Sequence, residues 1–91
     1  IASFEIIDTF RITGRGGVLV GNIIDGVINN RNLIDILDKK IIIKNLECII
    51  RRNIYPPLEM IVLVISFDDY DEIKNLEIKN KTFDIFEQSV S

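Results

Sequence analysis

Phe10-Arg11-Ile12-Thr13-Gly14-Arg15-Gly16-Gly17-Val18-Leu19-Val20-Gly21 is the stretch that decides the fold. An extended run enters it, Gly14, Gly16 and Gly17 reverse it, and an apolar β-branched run leaves it. Glycine reaches positive φ without a Cβ clash, so glycines this dense mark a tight reversal. Upstream, Ser3 to Thr13 alternates, with Phe4, Ile6, Asp8, Phe10 and Ile12 on one face. A period of two is that of a strand, and this more apolar set is expected to face the core. Downstream, Val18 to Ile24 reads as a second strand, in which Gly21 signals a bulge or a close backbone approach.

The same signals continue to the C-terminus. Asp25-Gly26 reads as a hairpin turn before a short strand at Val27-Ile28. Asn29-Asn30-Arg31-Asn32 is a turn, Leu33 to Leu37 a strand, and Asp38-Lys39-Lys40 a further turn. Ile41 to Arg52 is a longer strand bent near Asn45, and Pro56-Pro57 places a loop over Asn53 to Glu59, because adjacent prolines cannot donate to a ladder. Met60 to Phe67 is the most apolar strand. The acidic connection Asp68-Asp69-Tyr70-Asp71-Glu72 has room for one helical turn, and Leu76 to Ile78 and Thr82 to Phe86 complete the sheet. Six to eight short strands with regular turn signals predict a small all-β sandwich or barrel, and barrel closure is favoured because it removes exposed edges.

Composition narrows the function. The 91 residues make one domain, residues 1–91, and their 47% hydrophobic content is that of a folded chain. The formal net charge of −3 is the wrong sign for a protein that neutralises phosphates over an extended surface. There is no histidine, which removes the commonest general base and metal ligand together. The single cysteine, Cys48, cannot form an internal disulfide, and its apolar neighbours predict a buried structural thiol. The acidic run 68–72 lacks the glycine and distal glutamate of a calcium loop, so no metal and no cofactor are expected. No apolar run is long enough for a membrane-spanning helix, and Ile1-Ala2-Ser3-Phe4-Glu5 lacks the pattern of a signal peptide, so a cytoplasmic protein is expected. Enrichment in Ile, Asn and Lys is that of AT-rich coding sequence and points to a bacterial source.

The glycine-spaced stretch resembles the start of the second, β-barrel domain of elongation factor Tu and related translational GTPases, where the pattern is Phe-x-Ile-x-Gly-Arg-Gly-x-Val-x-x-Gly. Gly26-Val27-Ile28-Asn29-Asn30-Arg31-Asn32-Leu33-Ile34-Asp35-Ile36 is similar to the same domain's Gly-x-Ile-x-x-Gly-Asp-x-Ile-x-Ile, and Ile43-Lys44-Asn45-Leu46-Glu47 to its Val-x-Gly-Ile-Glu. A weaker match runs through Met60–Ile65, so the likeness covers roughly residues 4–65. It implies a small closed antiparallel, Greek-key-like β-barrel of the translation-protein type. Arg31 stands where the family has a turn glycine, which requires either a left-handed arginine or a rebuilt turn. No phosphate-binding Gly-x-x-x-x-Gly-Lys loop is present, so GTP is not a ligand.

The resemblance also supplies candidate binding residues. Asp8 and Arg15 match an acidic residue and the Gly-Arg-Gly arginine in the region where the family holds the aminoacylated end of tRNA. Ile7 replaces the first carboxylate of the family's acidic pair and Val20 its threonine, which argues against tRNA binding. An Arg15–Asp8 ion pair across the hairpin is the simpler role for both. In Met60–Phe67, alternation places Ile61, Leu63, Ile65 and Phe67 inside and turns Met60, Val62 and Val64 outward as a possible protein contact or weak homodimer face. The expected function is a non-enzymatic binding module. The second reading is a small acidic bacterial immunity or regulatory protein that caps a partner.

Overall fold

The structure is a computed structural model that describes residues 1–53 and 58–88; Pro56-Pro57, read above as a loop, lie outside the described residues. Seven antiparallel strands form one sheet: β1 Ala2–Ile12, β2 Gly16–Gly26, β3 Leu33–Ile36, β4 Lys39–Ile42, β5 Asn45–Arg51, β6 Leu58–Ile65 and β7 Lys81–Phe86. Their order is β4-β3-β7-β1-β2-β6-β5, and the sheet curls into a half-barrel. The small barrel-like all-β class and the strand number agree with the sequence reading.

The two end strands of the sheet, β4 and β5, are consecutive in sequence and form no ladder with each other. Ile43 and Lys44 carry the chain from one edge to the other. The Ile43 N–H donates to the Asn32 carbonyl (2.9 Å), its carbonyl accepts from the Arg31 N–H (2.7 Å), and the Lys44 N–H donates to the Val64 carbonyl (2.8 Å). The Asn30 side-chain oxygen then accepts from the Leu46 N–H on β5 (2.9 Å). The turn 29–32, with Val64 of β6 at Lys44, therefore supplies the bonds that a β4–β5 ladder would have made. Arg31 adopts φ 71°, the left-handed of the two conformations expected for it. Asn32 is buried, and its side-chain oxygen accepts from the Asn29 N–H (2.8 Å), which fixes the turn.

The concave face holds the core. Phe4 and Ile6 of β1, Leu19 of β2, Ile34 and Ile36 of β3, Ile41 of β4, Leu63 and Ile65 of β6 and Ile85 of β7 are fully buried. Each such side chain contributes about 1.5–3 kcal/mol relative to exposure. Ile61 packs against this cluster from a half-buried position.

One residue changes the facing of β1. Ile6 pairs with Gly21 and Asp8 with Val20, so Ile7 is an extra residue on β1. A bulge of this kind shifts the alternation by one. Asp8, Phe10 and Ile12 consequently leave the core face on which the uninterrupted period had placed them, and Phe10 and Ile12 are exposed. Gly21 is the partner at the bulge, where an added Cβ would overlap the Glu5 carbonyl oxygen.

Several boundaries also differ from the sequence reading. β2 continues to Gly26, so Asp25-Gly26 is no hairpin and Val27-Ile28 no strand: Ala2 and Ser3 of β1 pair with Gly26 and Asp25 and hold them in the ladder. The long strand breaks at Ile43-Lys44 and begins at Lys39, because the turn before it falls at Leu37-Asp38, both with positive φ. Phe67 is not the inward end of β6 but the first residue of helix α1, Phe67–Ile73. The Ser66 hydroxyl caps that helix by accepting from the Asp69 N–H (3.1 Å), and Asp68 and Asp69 in its first turn complement the positive end of the helix dipole. Leu76 to Ile78 belong to the loop after α1 and are not a strand; the Ile78 N–H bonds locally to the Leu76 carbonyl. Tyr70 of α1 packs so closely over Gly17 that an added Cβ would overlap the ring.

The Gly21→Ala variant is expected to lose roughly 3 kcal/mol, because the clash is with backbone and no rotamer relieves it. Urea unfolding should show a lower midpoint at an unchanged m-value; an unaffected midpoint would mean that β1 and β2 do not approach so closely.

Candidate functional site

The bulge turns Asp8 to the convex face of β1. Its carboxylate accepts from the Thr9 N–H (2.8 Å) and pairs with the Lys79 ammonium (3.0 Å). The hydrogen bond from Lys79, then that from Thr9, hold the Asp8 carboxyl below its ordinary pKa. Arg15, in the turn between β1 and β2, pairs instead with Glu47 on β5, whose carboxylate also accepts from the Asn45 amide (3.3 Å). Asp8 and Arg15 are thus not an ion pair across the hairpin. The physical reason is reach: the bulge displaces Asp8 towards Lys79, while Arg15 extends over β2 and β6 to the far strand.

The Arg15–Glu47 link crosses the face that carries Met60, Val62 and Val64. Val62 and Val64 point away from the main core, as alternation requires, yet they are only 6% and 5% exposed. They pack with Val18, also buried, and half-buried Val20, which face them across the β2–β6 ladder, and Met60 is half-buried. The expected outward contact row is therefore a second small core inside this chain.

Other exposed apolar side chains take its place. Leu33 pairs with Ile42 on one side and Phe86 on the other, making a cross-strand row over β4, β3 and β7 on the convex wall. Ile42 and Phe86 are 42% and 40% exposed, and Leu33 is half-buried between them. A shallow depression of about 270 Å³ beside Ile42 is lined by Arg31 and Lys44. Single-strand alternation does not reveal this row, because its three residues lie far apart in sequence and only the β3–β4 and β3–β7 registers align them.

Cys48 is exposed, contrary to the buried thiol expected from its neighbours, because this end of the β5–β6 hairpin extends past the core. Its thiol donates to Glu59 (3.3 Å), and that bond, then desolvation, raises its pKa and keeps it protonated at neutral pH. Asp71 pairs with Arg11 (2.7 Å) and Lys74 (3.6 Å), and Glu72 with Lys39 (3.7 Å); Arg11 also lies 4.4 Å from the centre of the Phe67 ring. Among the described residues, no three His, Cys, Asp or Glu side chains converge as a metal site would need. No helix among them is long and apolar enough to cross a membrane. No family model matches this chain, and neither a curated protein nor a solved structure is detectably similar to it.

Two measurements check this geometry. In an NMR pH titration the Asp8 carboxyl is expected to ionise below ordinary aspartate, and Lys79→Gln should raise its midpoint. The folded-state pKa is the depressed one, so the pair's support for the fold is present above the unfolded value and lost as pH falls through the folded one. A midpoint indifferent to Lys79→Gln would contradict the pair. Val62→Asp should cost roughly 2–4 kcal/mol in urea unfolding, since it buries a carboxylate among valines; full tolerance would mean that the second cluster is not packed.

Proposed function

We propose that this chain is a non-enzymatic binding module, a barrel-like domain resembling the second domain of translational GTPases, which acts through a protein contact on its convex wall. The observation that carries this reading is the Ile42–Leu33–Phe86 row. Exposed apolar side chains aligned on neighbouring strands form a continuous patch, whereas scattered ones do not, and continuous patches mark interaction sites. Arg31 and Lys44 beside the row favour a partner face that is apolar with acidic residues at its margin. The same row serves a second copy of the chain in a weak homodimer.

The absence of histidine supports the non-enzymatic part of the reading. The regulatory-cap alternative would draw on the acidic helix, where Asp71 and Glu72 are already paired within the chain and only Asp68 and Asp69 are left to attract a basic partner among the described residues. Tight tRNA binding is not part of the proposal: Asp8 and Arg15 are separately engaged, and the net charge opposes a polyanion.

The test compares wild type with Ile42→Asp by light scattering over a range of concentrations and by capture from native cell extract. The expected result is self-association or retention of a specific protein by wild type and its loss in the variant, with the melting midpoint lowered by no more than about 5 °C. A wild type that stays monomeric and retains nothing, or a variant that behaves like it, would contradict the reading. Filter binding of aminoacyl-tRNA at physiological salt should be weaker than micromolar.

A further inference from the structure

The apolar row on the convex wall has two unlike margins. Two residues along from Ile42, Leu33 and Phe86 in one direction stand Lys44, Arg31 and Gln88, which together with Ile42 line one depression of about 270 Å³. In the other direction stand Lys40, Asp35 and Asp84. We propose that the row receives an amphipathic helix of a partner protein, with an apolar stripe on the row and acidic side chains along the flank that meets Arg31 and Lys44. The proposal rests on the reading of the row as a contact face and names what that face takes.

The margins differ in uncommitted charge. Arg31 and Lys44 are exposed, neither has an ion-pair partner among the described residues, and no carboxylate lines the depression. At the opposite margin Lys40 already pairs with Asp35 (3.7 Å), which leaves the exposed Asp84 carboxylate. The row thus lies between a positive margin and a negative one, in a chain whose formal net charge is −3. Such a field attracts carboxylates on one side and repels them on the other, so it fixes the rotation of a docked helix about its own axis.

Arg31 adds a second observation. It holds a left-handed φ of 71°, a conformation that glycine reaches without strain, and its N–H donates to the Ile43 carbonyl (2.7 Å). An arginine kept at a strained backbone position, with its charge unpaired within the chain, points to a contact outside it.

Geometry selects a helix over an extended segment. The row crosses β4, β3 and β7, so at about 4.8 Å per strand its outer residues lie roughly 10 Å apart. Apolar residues at i, i+4 and i+7 of a helix span about 10.5 Å. The central strand β3 is paired on both sides, so the wall over it offers side chains and no open ladder. A segment docked there has to satisfy its own backbone, which a helix does and a lone strand does not. A second copy of the chain has no such helix to offer among the described residues, because Tyr70 and Ile73 of α1 are buried in its own core. The helix therefore comes from another protein.

The probe is a fluorescent, alanine-based helical peptide of about fifteen residues, with leucines at i, i+4 and i+7 and glutamates along one flank. It is titrated at low salt with the full chain and read by anisotropy, and amide NMR on isotope-labelled protein locates the contact. Saturable binding with a Kd of about 100 µM or tighter is expected, with shifts centred on Arg31, Leu33, Ile42, Lys44 and Phe86. The same stripe flanked by lysines, and the glutamate peptide broken by a central proline, should each bind at least about tenfold more weakly, and added salt should weaken the glutamate peptide. Arg31→Gly removes the charge and relieves the left-handed strain, so it should raise the Kd severalfold without lowering the melting midpoint. Lys44→Gln should also raise the Kd. No saturable binding of the glutamate peptide, equal binding of the lysine-flanked or proline peptide, or unchanged affinity in both variants would overturn the proposal. If Ile42→Asp nevertheless abolishes self-association or capture, the row remains a contact face and the helix inference alone falls; if Ile42→Asp changes nothing, the reading of the row falls with it.

Discussion

The two-residue link between the outermost strands of the sheet is the constraint on which the rest of the structure depends. Seven strands laid flat at about 4.8 Å spacing would place β4 and β5 roughly 29 Å apart. Ile43 and Lys44 allow three Cα steps between Ile42 and Asn45, a reach of about 11 Å. The sheet has to curl until its edges meet at that corner, and its concave face then encloses Phe4, Ile6, Leu19, Leu63 and Ile85. The turn 29–32 makes the seam tolerable. Arg31 and Asn32 bond to Ile43 and Asn30 bonds to Leu46, so backbone groups at the junction are satisfied without a ladder between the end strands.

The bulge at Ile7 is the second determinant, and it acts on the surface. Before it, β1 sends Phe4 and Ile6 inward; after it, Asp8 faces out and Thr9 and Arg11 face the side that α1 covers. Arg11 there lies over Phe67 and pairs with Asp71, while Tyr70 seats on Gly17. The lid formed by α1 and the lysine-bearing loop after it thus meet the sheet along the segment of β1 that the bulge has turned over. Fold and surface chemistry share one inserted residue.

The strands were legible because β-branched runs and glycine turns report local geometry, and both the barrel-like class and the close approach at Gly21 followed from them. The helix was signalled by Ser66 three residues before Asp69, a capping pattern, but the apolar run of β6 continues into Phe67 and masks the boundary. The facing of Asp8 and Phe10 was not legible, because a bulge is a property of the pairing between two strands. The burial of Val62 and Val64 depends on Val18, more than forty residues away, and the Ile42–Leu33–Phe86 row on two ladder registers. Charge told only half of the surface: the net value says nothing of how Asp8, Asp35, Glu47, Asp71 and Glu72 disperse into exposed pairs with lysines and arginines, mostly from distant parts of the chain.

Amide hydrogen exchange at the seam tests the central claim most directly. If turn 29–32 seals the junction, the N–H groups of Ile43 and Leu46 are protected to a degree comparable with those of the β1–β2 ladder, and Asn30→Ala releases Leu46 selectively. Exchange of these two amides at unprotected rates, while β1 and β2 remain protected, would contradict the account and leave the sheet open between β4 and β5.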